Sequence, residues 1–95
     1  MPHNGLNTLN TPALLLDRDQ LRANARRMAT RIGSLGAVIR PHVKTHKCFQ
    51  VARDIQDAGH TRGITVSTLK EAEYFSANGI NDVFYAVGIS QNKFA

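Results

Sequence analysis

The sequence has one cysteine, few aromatic residues and no long hydrophobic run. With Cys48 as the only cysteine, an internal disulfide framework is excluded, and the chain suits a reducing compartment. No apolar run approaches the roughly 20 residues of a membrane-spanning helix. The N-terminus has no charged segment followed by an apolar one, as a secretory signal would have. These absences predict a soluble cytoplasmic protein with no membrane partner.

Acidic residues are also scarce, because 7 Asp and Glu stand against 12 Lys and Arg, for a net charge of +5. A basic balance is one footprint of nucleic-acid binding. However, the arginines are spread along the chain, and no aromatic residues alternate with them to stack bases. Most lie between residues 17 and 32, where the solvated face of a helix explains them. We therefore expect no nucleic-acid partner.

The first sixteen residues differ from the rest of the chain. Residues 1–10 are polar and rich in turn formers, which predicts a flexible leader. Residues 11–16, Thr-Pro-Ala-Leu-Leu-Leu, predict an extended apolar strand with its proline at the beginning, where a missing N–H does least harm. We place a domain boundary after residue 16 and assign residues 17–95 to one α/β unit.

Two helices have clear start signals. Asp17 with Gln20, and Thr68 with Glu71, have the spacing of capping boxes. After the first box, apolar residues recur every three or four positions and predict one buried stripe, with the arginines between them facing water. The stripe consists of Leu21, Ala25, Met28 and Ile32, and the arginines are Arg22, Arg26 and Arg27.

Strand and helix patterns then alternate. Strands are predicted at residues 37–43, 63–67 and 82–87, with a helix at residues 46–58 between the first two and the Thr68 helix between the others. Short βα units of this kind predict a parallel sheet with right-handed crossovers. Parallel sheets are normally covered on both faces, and three strands leave one face bare. The chain therefore reads as the first part of a TIM-type barrel.

The most unusual stretch is residues 40–47, Arg-Pro-His-Val-Lys-Thr-His-Lys, which is dense in cations and has no carboxylate. It is either a solvated basic strand end or a site that meets an anion. Strand alternation puts Arg40, His42 and Lys44 on one face, at the end of the strand where barrels carry their chemistry. Like charges disfavour protonation of Lys44, and a neutral lysine is a nucleophile that forms Schiff bases.

Three segments carry a family resemblance: TPALLLD at residues 11–17, RPHVKTHK at 40–47 and TLKEAE at 68–73. Together they resemble the N-terminal region of the D-threonine aldolase and D-serine dehydratase family, which are pyridoxal-phosphate enzymes with an alanine racemase-type barrel. The resemblance implies that Lys44 carries the cofactor and that Lys47 is a surface or supporting group. Arg40 and His42 are expected to tune Lys44 and to help bind the cofactor.

The resemblance also implies what lies outside these residues. Family members are several times longer, and their later barrel strands supply the phosphate-binding loops. A C-terminal β-domain binds a divalent metal (Mn or Zn) and pairs with a strand that matches residues 11–16. The intact protein is expected to be a homodimer, and the N-terminal part alone is expected to be inactive.

The function implied is a lyase that acts on D-configured β-hydroxy amino acids, either by cleavage to glycine and an aldehyde or by dehydration to a keto acid. Two alternatives stay open, an amino-acid racemase of the same barrel type and a non-catalytic pyridoxal-phosphate-binding protein. His42, His46 and Cys48 have no regular metal-ligand spacing, so no metal is predicted on this chain. Cys48 is expected to be a small core residue.

Overall fold

Two short parallel strands with helices on one side form the centre of the structure, a computed structural model that describes residues 4–94. No helix within those residues is long and apolar enough to cross a membrane. The elements are α1 (Asn4–Asn7), α2 (Arg18–Gly33), α3 (Phe49–Gly59), β1 (Ile64–Val66), α4 (Leu69–Ala77), β2 (Val83–Tyr85) and the 3-10 helix η1 (Gln91–Lys93).

Helix α2 begins where its capping signal predicts. The Asp17 carboxylate accepts the backbone N–H of Gln20 at 3.0 Å, which satisfies one of the free donors of the first turn. The Gln20 side chain donates to Asn24 at 2.9 Å instead of reaching back, so only half of the predicted capping box forms. After the helix, Gly36 adopts a φ of 77°, a left-handed conformation that glycine adopts without steric cost.

Helix α2 joins α3 through an ion-pair cluster that the sequence pattern did not reveal. Arg18 donates from Nε and Nη2 to the two carboxylate oxygens of Asp54, at 2.9 and 3.0 Å. Arg22 donates to the same carboxylate at 3.0 Å, so the prediction that Arg22 faces water is wrong. Of the predicted apolar stripe, Met28 is 54% exposed, while the other three residues are half-buried.

The predicted parallel pairing is confirmed for the second and third strands. Strand β1 pairs with β2 in the register Ile64↔Val83, Thr65↔Phe84 and Val66↔Tyr85. Both strands are three residues long and therefore shorter than the sequence pattern suggested. The crossover between them is helix α4, whose Thr68 hydroxyl accepts the Glu71 N–H at 3.0 Å, as its capping signal predicts.

The predicted strand at residues 37–43 is reduced to a single bridge, in which His42 pairs with Thr65 in parallel. The carbonyl of Pro41 accepts the Thr65 N–H at 2.8 Å, and the Val43 N–H donates to the Thr65 carbonyl at 3.0 Å. Extending the ladder one step backwards would require an N–H from Pro41, which proline lacks. The sequence prediction overlooked this constraint, and the segment lies beside β1 as a weakly paired edge.

The hydrophobic core lies on the helix side of the sheet. Val43, Val66 and Phe75 are fully buried there. The core is completed by Ala52, Ile64 and Ile80. On the other face of β2, the Phe84 ring is 56% exposed. One face of the sheet is therefore packed and the other is open.

The predicted leader contains one helical turn, α1, while residues 1–3 lie outside the described part of the chain. The predicted strand at residues 11–16 has no strand partner among residues 4–94. Its three leucines are exposed, with Leu14 102%, Leu15 69% and Leu16 53% accessible. Flexibility of the leader stays a prediction, as does the domain boundary after residue 16.

Candidate functional site

The basic run ends in a turn, not in a helix. Residues 44–46 form the turn, and the Lys47 N–H donates to the Val43 carbonyl at 2.9 Å. Lys47 has a φ of 50°, a left-handed conformation that stops a right-handed helix from starting. Helix α3 begins only at Phe49, with Cys48 as its N-cap. The predicted start at His46 is therefore wrong, and we call residues 44–48 the lysine turn.

Lys44 is the first residue of the lysine turn and directly follows the buried Val43. It lies at the carboxyl end of the edge segment, next to the carboxyl ends of β1 and β2. Its side chain is exposed, and it forms no ion pair with any residue between 4 and 94. The structure thus presents a primary amine at the end of the sheet where parallel α/β proteins bind ligands.

His42 lies beside Lys44 and is bonded to it. Its Nδ1 accepts the Lys44 backbone N–H at 3.2 Å, which requires that the neutral ring carry its proton on Nε2. Strand alternation puts the His42 side chain on the opposite face from Val43, the face that is open. His42 therefore fixes the backbone of Lys44 and keeps an N–H donor on the side where a ligand has access.

Arg40 is held at the other end of the sheet. Its Nη1 lies 2.8 Å from Asp82 Oδ1 and donates to the carbonyls of Ile64 and Asp82, each at 3.2 Å. These groups lie at the amino-terminal ends of β1 and β2. The bond from Arg40 also holds the pKa of Asp82 below its ordinary value. The structure brings His42 to Lys44 but not Arg40, whose predicted role toward Lys44 stays a prediction.

The remaining predicted candidates have local roles. His46 Nδ1 accepts the Cys48 N–H at 3.3 Å, and burial lowers the pKa of this histidine. Cys48 is half-buried, and its thiol donates to Gln50 at 3.1 Å, so it is an N-cap residue and not part of the core. In the part of the chain that the structure describes, no three His, Cys, Asp or Glu side chains cluster as metal ligands would.

Two residues of α4 contact the lysine turn and helix α3, and sequence reasoning missed both contacts. Glu71 accepts the Ser67 N–H at 2.8 Å and the Ser67 hydroxyl at 3.1 Å through Oε1, while its Oε2 lies 3.7 Å from Lys47 Nζ. The Tyr74 hydroxyl accepts the N–H of Phe49 at 3.2 Å. The capping signal identified Glu71 only as a helix-start residue, and no local signal marked Tyr74.

The chain that carries this lysine and the βα units beside it has counterparts among known proteins. The model of the family described as "Alanine racemase, N-terminal domain" matches residues 16–95. The chain belongs to this family. The predicted fold class, the first part of an alanine racemase-type barrel, is confirmed.

Individual relatives agree with the predicted resemblance. The chain is 48% identical over 86 residues to D-threo-3-hydroxyaspartate dehydratase of Delftia sp. strain HT23, covering 90% of this chain and 22% of that protein. It is 39% identical over 92 residues to D-serine dehydratase of Dictyostelium discoideum, covering 93% and 23%. By their names, these relatives are lyases.

Solved structures give the same result in three dimensions. The Delftia dehydratase superposes with a TM-score of 0.86 at 48% identity, covering 93% of this chain and 23% of the other. D-threonine aldolase from Filomicrobium marinum superposes with a TM-score of 0.74 at 35% identity, covering 84% and 22%. The chain thus spans between a fifth and a quarter of the length of these relatives.

Proposed function

We propose that the full-length protein containing these residues is a pyridoxal-phosphate-dependent lyase for D-configured β-hydroxy amino acids, and that Lys44 attaches the cofactor. The observation that carries the proposal is the placement of Lys44. Its exposed amino group lies at the carboxyl end of the parallel strands, next to a histidine that fixes its backbone. The dehydratase and aldolase names of the relatives support the reaction class.

The residues present fit one part of the cofactor. An amine without a carboxylate partner is suited to bond the cofactor's aldehyde carbon, and the Nε2–H of His42 would donate to a cofactor oxygen. When bound, pyridoxal phosphate supplies an electron sink for bonds at the substrate's α carbon. The phosphate would be held by residues outside this chain, because sequence 1–95 has no glycine-rich loop after a strand.

Lys44 would have two tasks in turn. It would hold the cofactor until the substrate's amino group takes its place, and its freed Nζ would then move a proton at the substrate's α carbon. His42 would keep the backbone of Lys44 in one orientation through both steps. No residue of this chain is assigned to the divalent metal, Mn or Zn, that the resemblance implies.

Both lyase reactions are part of the proposal, because sequence identity does not rank them. The dehydratases range from 48% to 29% identity to the chain, and a D-threonine aldolase is 38% identical. Dehydration removes the α-proton and the β-hydroxyl as water, and hydrolysis of the released enamine, after it tautomerises to an imine, yields a keto acid and ammonia. A cytoplasmic homodimer is part of the proposal, and size-exclusion chromatography with light scattering tests the dimer.

The decisive experiment is chemical trapping. The full-length protein is incubated with pyridoxal phosphate and reduced with borohydride, and the labelled peptide is mapped by mass spectrometry. We expect the label on Lys44, its loss in Lys44→Ala, and its retention in Lys70→Ala, since Lys70 is also exposed. A label at another lysine, or none, contradicts the proposed attachment.

Substrate assays then separate the reactions. D-serine, D-threonine and D-threo-3-hydroxyaspartate are supplied to the unreduced full-length protein with bound pyridoxal phosphate. The products are identified by mass spectrometry. Keto acid and ammonia support dehydration, whereas glycine and an aldehyde indicate the aldolase. Formation of the L-enantiomer would instead indicate a racemase, and a bound cofactor without any turnover would indicate a binding protein.

A further inference from the structure

The first two turns of helix α4 contact the lysine turn and the residue that follows it. Lys47 Nζ lies 3.7 Å from Glu71 Oε2, and the Tyr74 hydroxyl accepts the N–H of Phe49, the residue that follows the turn. Both contacts connect the segment after the first predicted strand to the helix after β1. We call the Lys47–Glu71 pair the latch.

The two oxygens of Glu71 have different surroundings. Oε1 receives both bonds from Ser67, and this alone accounts for the role of Glu71 at the start of α4. Oε2 is buried and has no hydrogen-bond partner among residues 4–94, and the whole residue is only 7% exposed. A buried carboxylate oxygen is costly unless a cation compensates it, and Lys47 is the cation that lies nearest.

Lys47 connects the latch to Lys44 through its own backbone. Its N–H closes the turn by donating to the Val43 carbonyl at 2.9 Å, and Lys44 lies inside that turn. Lys47 does this with a φ of 50°, although glycine or asparagine would adopt this conformation at lower cost. A lysine at this position is explained if its side chain is needed at Glu71.

We propose that Glu71 is a positioning residue for Lys44 and acts through Lys47. This inference rests on the proposed function of Lys44 as the attachment residue. The latch holds the turn closed, so that the Lys44 amine is presented in one orientation to the open side of the sheet. Without the latch the turn samples other conformations, and the cofactor binds less tightly because only a fraction of molecules is competent.

The test uses the full-length protein with Glu71→Gln, Lys47→Met, Lys47→Arg and the Lys47→Met/Glu71→Gln double variant. Lys70→Met is the matched control, since Lys70 is exposed and lies on the same helix turn without an ion pair in the described structure. The readouts are the apparent Kd for pyridoxal phosphate, the rate of borohydride-trapped labelling at Lys44, and the melting temperature.

We expect Glu71→Gln and Lys47→Met each to weaken cofactor binding and slow labelling by about fivefold, the value of roughly 1 kcal/mol for a partly exposed pair. The double variant should be no weaker than either single one, because both substitutions break the same contact. Lys47→Arg keeps the charge and should restore binding to within twofold. Lys70→Met should behave as the unchanged protein.

The outcomes separate the two proposals. If the unchanged protein shows no label at Lys44, the proposed function fails and the latch has nothing to position. If Lys44 is labelled but the latch variants match Lys70→Met, the inference is overturned. It is also overturned if the losses in the double variant multiply, or if Glu71→Gln lowers the melting temperature while Lys47→Met leaves binding unchanged, because Glu71 is then only a structural cap.

Discussion

The two faces of the short sheet differ in nearly every respect. On one face Val43 and Val66 are fully buried against Phe75 of α4. On the other face His42 is half-buried and the ring of Phe84 is 56% exposed. The packed face supplies the stability of these residues, whereas the open face carries His42, which the sequence analysis predicts to help bind a cofactor.

The contrast between the two faces explains why the lysine turn lies where it does. Val43 anchors the chain in the packed core, and the next residue, Lys44, is already exposed. A change of the Lys44 side chain removes no core contact, so the site can vary without loss of the fold. Rigid elements with a functional residue just beyond their end are the usual way in which βα units build sites.

The strongest way to test the comparison is to remove one large ring from each face. Phe75→Ala should cost about 3–5 kcal/mol of unfolding free energy, because a fully buried ring leaves a cavity. Phe84→Ala should cost less than about 1 kcal/mol, because the ring is largely in contact with water. Urea unfolding of residues 1–95 as a separate chain, to which these exposures apply, measures both. Equal losses would show that the second face is packed as well, and the contrast drawn between them would fail.

A second test concerns Gly63, which lies where Arg40 crosses the amino-terminal ends of the strands. A Cβ at Gly63 would lie 2.2 Å from the Asp82 backbone oxygen and 2.7 Å from Arg40 Nη1, and its φ is 56°. Gly63→Ala should therefore cost about 2–3 kcal/mol, from left-handed strain and displacement of the Arg40–Asp82 pair.

The matched control for Gly63 is Gly79→Ala. Gly79 also has a positive φ, 95°, but an added Cβ would meet no atom within 4 Å. Its cost should be about 1 kcal/mol, from backbone strain alone. Urea midpoints give both values. If the two variants lose equal stability, the close approach of an added Cβ at Gly63 to Asp82 and Arg40 contributes nothing to the loss.

The smallest expected effect is a pH dependence of stability, which arises from the ion-pair cluster between helices α2 and α3. Hydrogen bonds from Arg18 and then Arg22 lower the pKa of Asp54 from 3.8 to about 2. A carboxyl whose folded pKa is depressed contributes stability above its ordinary pKa and loses it as pH falls. The unfolding free energy should therefore decline between about pH 4 and pH 2, and part of this decline should be absent in the Asp54→Asn protein.

Urea midpoints across that range measure the component, with Asp57→Asn as the control because Asp57 is an exposed aspartate on the same helix. The Asp57→Asn protein should keep the acid-dependent decline of the unchanged protein. Parallel pH curves for the unchanged and Asp54→Asn proteins would show that the arginine cluster contributes nothing to acid stability.

Features set by neighbouring residues could be predicted from the sequence, and features set by distant residues could not. Helices α2 and α4 start where their capping residues stand, since Asp17 and Thr68 act within three positions. The pairing of Arg40 with Asp82 spans 42 positions, and no local pattern contains it. For the same reason the sequence suggested Arg40 as a neighbour of Lys44, although its charge is used at the opposite end of the strands.

The structure of residues 40–47 could likewise be predicted only in part from the sequence. Alternation correctly separates His42 from Val43, but it continues the strand through residues that Pro41 keeps from regular pairing. The left-handed backbone of Lys47 has no signal in the residue type, because lysine rarely adopts it. The latch to Glu71 could be identified only after α4 was placed beside the turn.

The bond between His42 Nδ1 and the Lys44 amide makes the histidine a built-in spectroscopic probe. One hydrogen links an imidazole nitrogen to the backbone nitrogen of the lysine, so the ¹⁵N chemical shifts of both nuclei change together when the turn rearranges. In protein labelled only at histidine nitrogens, His42 would report the state of Lys44 without any chemical tag on the lysine. The turn can then be followed by NMR during a titration that leaves its amine untouched.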